Sequence, residues 1–259
     1  YFAVFLTKLS HTKVELTYNL MRTFVAGLAF AMPFSLVYQM MSDRMKGQQK
    51  SEKVIKGLPF AAGFTAGTAV SITGNMHYVI YAQIIPLIEK LTGKEVSSYW
   101  FPDATRYIGY NPYREEDRTI HEFPCYSFVL GDLHAHVVNI MFVIAFLYVW
   151  LRGVRKKTVP VETSMKDGKF WKEQLLMPHL LVISALLGMF QWTNFWDFVI
   201  YYVVTLGTVL FANIIRFQGK IKKIMVVTFA QMAEIYLLAY LVILPFTLQF
   251  DTMVDGIGI

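Results

Sequence analysis

The chain has 259 residues, of which 55% are hydrophobic, and its apolar residues gather in stretches long enough to cross a hydrocarbon core about 30 Å thick. The net charge of +6 comes from basic residues that are spread over alternate loops rather than collected on one face or arm. This distribution excludes a nucleic-acid partner and indicates a polytopic membrane protein.

Six apolar stretches are predicted to span the membrane, so the predicted fold class is all-α integral membrane, a polytopic bundle with one long structured outer loop. The stretches are residues 18–41, 57–73, 137–151, 175–191, 197–215 and 224–246. The chain is interpreted as one membrane domain over residues 1–259, with two spans in 18–73 and four in 137–246.

Basic residues fix the predicted orientation. They concentrate in the loops 42–56, 152–174 and 216–223, which the positive-inside rule assigns to the cytoplasm. The loop 74–136 and the turn at 192–196 then face outward from a plasma membrane, and the alternation closes across all six helices.

The start of the chain is expected to lie inside a longer protein, because Tyr1 is not an initiator Met, no signal peptide opens the chain, and residues 1–9 are already apolar and aromatic. Residues 1–17 contain an apolar run too short to span, and they are predicted to lie on the outer membrane surface. Residues 247–259 are expected to begin a further outer loop.

Four segments outside the predicted spans also have structural predictions. The Lys-rich stretches 45–53 and 166–173 are expected to be solvated connectors. Residues 76–91 have helical apolar spacing with Pro86 inside, which predicts a kinked helix along the interface. The charged run 114–118 is interpreted as an exposed turn, and Cys125 as a packing residue.

The most informative residues are Asp132, His134 and His136, which lie at the mouth of the third predicted span. Ionisable groups at such a depth usually mark a pathway or a reaction centre. In a helix over 130–137 only Asp132 and His136 would share a face, whereas an extended chain, which Gly131 permits, would align all three.

Such a trio could hold a divalent metal, Mn or Mg ahead of Zn, or bind a phosphate when the histidines are protonated. Glu122 and Asp103 could complete the site. The alternative interpretation is that Asp132 caps the following helix and the histidines border the headgroups.

Other candidates are more dispersed. The run WFPDATR combines an aromatic platform, Trp100, with Asp103 and with Arg106, whose guanidinium suits phosphate or carboxylate; a plain Asp103–Arg106 surface pair is the alternative. Trp196 and Asp197 lie in the outer turn, where Trp suits the interface and Asp can cap a helix. Glu234 lies near the middle of the last predicted span, which makes it a functional candidate by default.

Several motifs resemble, in order, those of a family of prokaryotic multi-pass membrane proteins of unknown function, named for a Tyr-Tyr-Tyr motif and grouped with the GT-C glycosyltransferase superfamily. The motifs are TKLSHTKVELTYNL (7–20), GNM (74–76), WFPDATR (100–106), TIHEFPCYSFVLGDLHAH (119–136), GMFQWTNFWDF (188–198) and LPF (244–246). The block from 119 to 136 is the specific one.

This resemblance implies an inverting glycosyltransferase that uses a polyprenyl-phosphate sugar donor on the outer membrane face, with an essential acid in an earlier outer loop. The implied roles group the candidates as follows: catalytic, Asp132, Glu122 and Asp103; substrate-binding, Arg106, Trp100, His121, Trp196 and Asp197; metal, Asp132, His134 and His136. A lipid or ion transporter or flippase using Glu234, and a non-catalytic assembly subunit, are the alternatives.

Overall fold

The computed structural model describes residues 2–46, 48, 51–106, 113–114, 118–156 and 164–250, with side chains described except at 154–156. These residues are mostly helical and include no β-strand, which confirms an all-α membrane protein. The basic residues Lys50 and Lys157, most of the charged run at 114–118, and the tail 251–259 lie outside the described residues.

Ten α-helices follow one another in the described residues, with a π-helical turn at Val79–Ile84 and a 3-10 turn at Phe101–Thr105. The α-helices are α1 (Phe2–Ser10), α2 (Val14–Met45), α3 (Glu52–Ser71), α4 (Ile85–Leu91), α5 (Pro124–Leu130), α6 (Ala135–Lys156), α7 (Gly168–Leu175), α8 (Pro178–Thr193), α9 (Phe195–Phe217) and α10 (Ile221–Thr247).

Four of these helices, α2, α6, α9 and α10, are long and apolar enough to cross a membrane, and α7 with α8 makes a fifth candidate if the pair, bent by 48°, counts as one span. Six spans were predicted. The remaining stretch, 57–73, does lie largely in a helix, α3, but α3 is not among the candidates. Its Gly and Thr residues, together with Glu52, Lys53 and Lys56 in its first turns, lower its mean hydropathy.

The prediction of a solvated connector at 166–173 was only partly right: most of these residues are exposed, but from Gly168 onward they form helix α7. Asp167 caps its first turn, with Oδ1 accepting a hydrogen bond from the Lys169 backbone N–H at 2.9 Å. Phe170 and Gln174 lie one turn apart, and both are buried. Phe170 is fully buried against a cluster with Phe217 and Val227, so a single apolar face draws the segment into the fold.

The described chain divides into two compact units, residues 1–21 with 138–259, and residues 22–137. In the first unit α8 packs against α10 around Phe146, Leu187 and Ile235, which are fully buried. Gly188 lets α8 approach closely, since a Cβ there would lie 2.7 Å from the carbonyl oxygen of Ala239. Small residues at helix contacts are the usual means of close packing in membranes.

The second unit contains a similar close approach between α3 and the part of α2 that follows Met21. A Cβ on Gly63 would lie 2.8 Å from the Phe34 carbonyl oxygen, and one on Gly67 would lie 2.8 Å from that of Phe30. The predicted kinked helix at 76–91 is also here: the π-helical turn Val79–Ile84 runs directly into α4, and Pro86 is the second residue of α4. The missing Pro86 N–H thus falls where the hydrogen bonding passes from π-helical to α-helical spacing.

Alanine substitutions at two glycines of α3 are expected to have opposite effects. Gly67→Ala forces a Cβ against the Phe30 backbone, which should destabilise the protein by about 1–3 kcal/mol. Gly57→Ala meets no atom within 4 Å, and its higher helix propensity should stabilise by up to about 1 kcal/mol. Thermal unfolding in detergent measures both, and equal shifts would contradict the packing of α3 on α2.

Candidate functional site

Helix α5 sets the local geometry of the specific 119–136 block. It starts at Pro124, a favoured first residue, and it ends at Gly131, which has the left-handed φ of 74°. The backbone N–H groups of Gly131 and Asp132 both donate to the carbonyl oxygen of Ser127, the latter at 2.9 Å. This glycine turn is the common way to end a helix, and it releases residues 132–134 from helical geometry.

Because α6 begins only at Ala135, a continuous helix over 130–137 is excluded. The fully extended alternative does not hold either, since His134 precedes the helix and His136 lies in its first turn. The turn also depends on a second contact. A Cβ on Gly131 would overlap the guanidinium of Arg22, so any other residue here would need both a strained backbone conformation and a shift of the Arg22 side chain.

The imidazole of His134 lies between two carboxylates. Its Nδ1 is paired with Oε2 of Glu122, and its Nε2 lies 3.0 Å from Oδ2 of Asp132. His136 is on the same side, with Nε2 3.9 Å from the same Glu122 oxygen and its ring centroid 5.8 Å from that of His134. The two imidazoles, of His134 and His136, therefore lie close together on either side of the same Glu122 carboxylate oxygen.

A metal ion fits this arrangement. One ligand atom each from Glu122, His134 and His136 lies within 4.8 Å of the others, and two imidazoles with one carboxylate form a common donor set for first-row divalent metals. The two histidine side chains are 46% exposed, and that of Glu122 is 20% exposed, so an ion or substrate can reach them.

The geometry changes the predicted ligand set, which was Asp132, His134 and His136. Glu122 takes the place of Asp132, and Asp132 lies instead at the opposite nitrogen of His134. A carboxylate that accepts from the far nitrogen of a ligating histidine fixes the ring's tautomer and orientation. Asp132 therefore lies where it can orient the His134 ring, and its predicted role as a direct metal ligand stays a prediction.

Aromatic contacts hold the neighbouring segment beside α5. The ring of Phe123, next to Glu122, lies against Gly74, where a side chain would overlap it. The Phe101 and Tyr126 rings stack with centroids 5.4 Å apart. His121 contributes its backbone N–H, which donates to the carbonyl oxygen of Thr105 at 2.9 Å, so the 3-10 turn is anchored next to the block.

Within that turn the predicted surface pair is replaced by another contact. The Arg106 guanidinium lies 4.4 Å from the centroid of the Trp100 ring, a cation–π geometry. Asp103 is exposed and is not one of the grouped ligands among the described residues.

Two groups near the site have raised pKa values. Burial, and then the charge of Asp103, raises the pKa of the Tyr99 hydroxyl. Burial raises the pKa of the Cys125 thiol, as expected for a packing residue.

Trp196 and Asp197 belong to the unit of residues 138–259. Trp196 is 72% exposed. Asp197 accepts hydrogen bonds from the side-chain amides of Asn139 and of Asn194, the latter at 3.0 Å. Asn139 in turn accepts from Thr193 at 2.8 Å, so Asp197 joins α6, α8 and α9 through a polar network.

Sequence reasoning assigned no role to Arg22, which the structure places against Gly131, one residue before Asp132. Its cation adds positive charge beside the acidic site. No local pattern could have revealed this contact, because the two residues are far apart along the chain.

Long apolar helices and an exposed site of histidines and carboxylates together define a multi-pass α-helical membrane protein. The chain belongs to the family described as Uncharacterized membrane protein (DUF2298), whose model matches residues 1–259. Neither a search of the curated proteins nor a search of the solved structures found a match.

Alanine substitutions at Gly93 and Gly131, which both have a left-handed φ, distinguish the cost of backbone strain from the cost of a side-chain contact. Gly93→Ala should cost only the strain, about 1–2 kcal/mol, because nothing lies within 4 Å of its Cβ position. Gly131→Ala carries the same strain and also displaces the Arg22 guanidinium, so it should lower the unfolding temperature further.

Mn²⁺ affinity, measured by isothermal titration on the same two variants, should fall only for Gly131→Ala, since that turn positions His134. Equal affinity in both variants would show that the Gly131 turn does not shape the site.

Proposed function

We propose that this protein is a GT-C-like membrane glycosyltransferase that moves a sugar from a polyprenyl-phosphate donor to an acceptor at the outer face of the plasma membrane. The observation that carries the proposal is the cluster of Glu122, His134 and His136 at the start of α6, an apolar helix long enough to span the membrane. A lipid-linked phosphate would lie at the same depth, where the span meets the headgroups.

The proposed reaction inverts the anomeric centre. The acceptor hydroxyl oxygen attacks the anomeric carbon, and a carboxylate acting as general base takes the hydroxyl proton. The bond from that carbon to the phosphate oxygen breaks, and the polyprenyl phosphate leaves with the bonding electron pair. The negative charge that develops on the leaving phosphate is what the site must stabilise.

The residues of the site are proposed to have separate roles in this reaction. Glu122, His134 and His136 would hold a divalent ion, Mn or Mg ahead of Zn, which when bound supplies Lewis-acid stabilisation of the phosphate. Asp132 keeps the His134 ring oriented. Arg106 and Trp100, already in contact, offer a cation for phosphate and a flat surface for a sugar ring.

The charge of Arg22, held beside the Gly131 turn, adds to the positive field near the leaving group. The outward position of residues 74–136 follows from the basic loops at 42–56, 152–174 and 216–223, which we assign to the cytoplasm. Membrane lipids and the lipid-linked donor are then the proposed partners.

Substitution of His134 tests the proposal. In full-length protein at matched levels, His134→Ala should raise the pool of polyprenyl-phosphate sugar and lower the glycosylated product by roughly tenfold to a hundredfold, as loss of a ligand or its support does. Asp132→Asn should produce a change of the same sign. Mass spectrometry of membrane lipids measures both pools.

Two control variants are available outside the site. Glu95→Gln alters an exposed carboxylate of the same loop, and His11→Asn replaces a histidine whose φ of 51° asparagine tolerates. Both should leave the lipid profile unchanged. A profile unaffected by His134→Ala and Asp132→Asn together would rule out catalysis at this site.

One observation favours a second candidate, a lipid or ion transporter. In α10 the Oε2 atom of Glu234 is buried, and it has no hydrogen-bond partner among the described residues, which is typical of an intramembrane acid with a function. Transport requires that Glu234→Gln abolish activity while Asp132→Asn does not. The transferase proposal requires the reverse.

A further inference from the structure

A cavity in the unit of residues 138–259 lies apart in sequence from the 119–136 block. Its lining includes Trp150, His179, Asn213, Arg216 and Gln231, and its enclosed volume is about 20 Å³. This is room for one or two water-sized groups, so the cavity admits the oxygens of a compact polar group through its open mouth and not a whole larger molecule.

Arg216 gives the cavity a buried positive charge. The residue is 5% exposed, and its guanidinium donates to two neutral amides, to Oε1 of Gln174 at 2.6 Å and to Oδ1 of Asn213 at 3.4 Å. No ion pair among the described residues includes Arg216, and its Nε has no hydrogen-bond partner among them. A buried charge with only neutral partners is costly unless an anion joins it.

A second cation lies close by. Lys223 is 8% exposed, and its Nζ lies 5.0 Å from the centroid of the Phe217 ring, while Cζ of Arg216 lies 5.4 Å from the same centroid. Two positive charges around one aromatic ring repel each other. Lys223 therefore adds a second positive charge near Arg216.

A further donor and a rigid support complete the site. Trp150 also lines the cavity, and its indole Nε1 is buried without an acceptor among the described residues. Asn213 donates to Oε1 of Gln231 at 2.9 Å, and Gln231 donates to the carbonyl oxygen of Gln174 at 2.9 Å. The same amides that accept from Arg216 are therefore held in place, so its guanidinium is positioned before any ligand arrives.

We propose that this cavity binds a phosphate group, with Arg216 as its main ligand and Trp150 as an additional donor. The fork of a guanidinium matches the oxygens of a phosphate. Arg216 lies in the last turn of α9, and Lys223 lies near the start of α10. The site thus sits at the ends of two apolar helices, the depth at which lipid phosphates lie. The phosphate can come from an anionic lipid headgroup or from free phosphate.

The test uses the purified full-length protein, stripped of lipid in detergent. Inorganic phosphate is titrated by calorimetry, and retained phosphatidylglycerol is counted by native mass spectrometry after passage through nanodiscs of phosphatidylcholine with phosphatidylglycerol. Arg216→Gln should weaken binding of the phosphate probe roughly tenfold to a hundredfold, and Trp150→Phe roughly threefold to tenfold. Arg152→Gln, which alters an exposed arginine, should change neither measurement.

Each outcome decides the proposal. Arg216-dependent binding of inorganic phosphate supports a free-phosphate site, and Arg216-dependent retention of phosphatidylglycerol without it supports a lipid headgroup site. If Arg216→Gln does not fold, Trp150→Phe and Arg216→Lys carry the comparison, the latter keeping the charge but losing the fork. Equal binding of both probes by wild type and the folded variants would overturn the proposal.

Discussion

The position of one imidazole between two carboxylates is the interaction on which the site depends. His134 meets Glu122 through one nitrogen and Asp132 through the other, so its ring can neither rotate nor shift without losing a charged partner. Because Asp132 lies at Nε2 of the ring, a ligand that also contacts His136 can reach His134 only at Nδ1, on the side of Glu122. It also separates the two carboxylates by role, since only Glu122 faces both histidines.

That arrangement rests on close approaches that only glycine permits. Gly131 turns the chain after α5 while it leaves room for the Arg22 guanidinium, and Gly74 leaves room for the Phe123 ring beside Glu122. The same device joins helices elsewhere, at Gly63 and Gly67 of α3. Lipid tails are as apolar as the helix surfaces, so the hydrophobic effect contributes little to helix association in a membrane. Close van der Waals packing between helices therefore contributes much of the stability.

The sequence predicted the helical class well because long apolar runs have few alternatives in a bilayer. It predicted poorly where tertiary contacts decide the structure. Residues 168–173 of the expected connector lie in helix α7, because Phe170 packs into a buried cluster. Helix α3 is not apolar enough to be among the candidate spans, although the stretch 57–73 contains no charged residue.

For the site, the acid and histidines of the 119–136 block were found from their placement beside an apolar span. Their pairing was not, because the choice between Glu122 and Asp132 as the partner of both histidines depends on the turn at Gly131. Arg22 and the amide network around Arg216 were also missed. Their partners lie in other segments of the chain, and helical spacing within one segment carries no information about them.

Electron spin-echo spectroscopy of Mn²⁺ bound to the full-length protein tests the central claim most directly, because it detects nitrogen nuclei coordinated to the ion. The account predicts couplings from two imidazole nitrogens, reduced to one in His136→Ala and unchanged in His11→Asn. Bound Mn²⁺ with no nitrogen coupling, or with couplings that persist when His134 and His136 are both replaced by alanine, would contradict it.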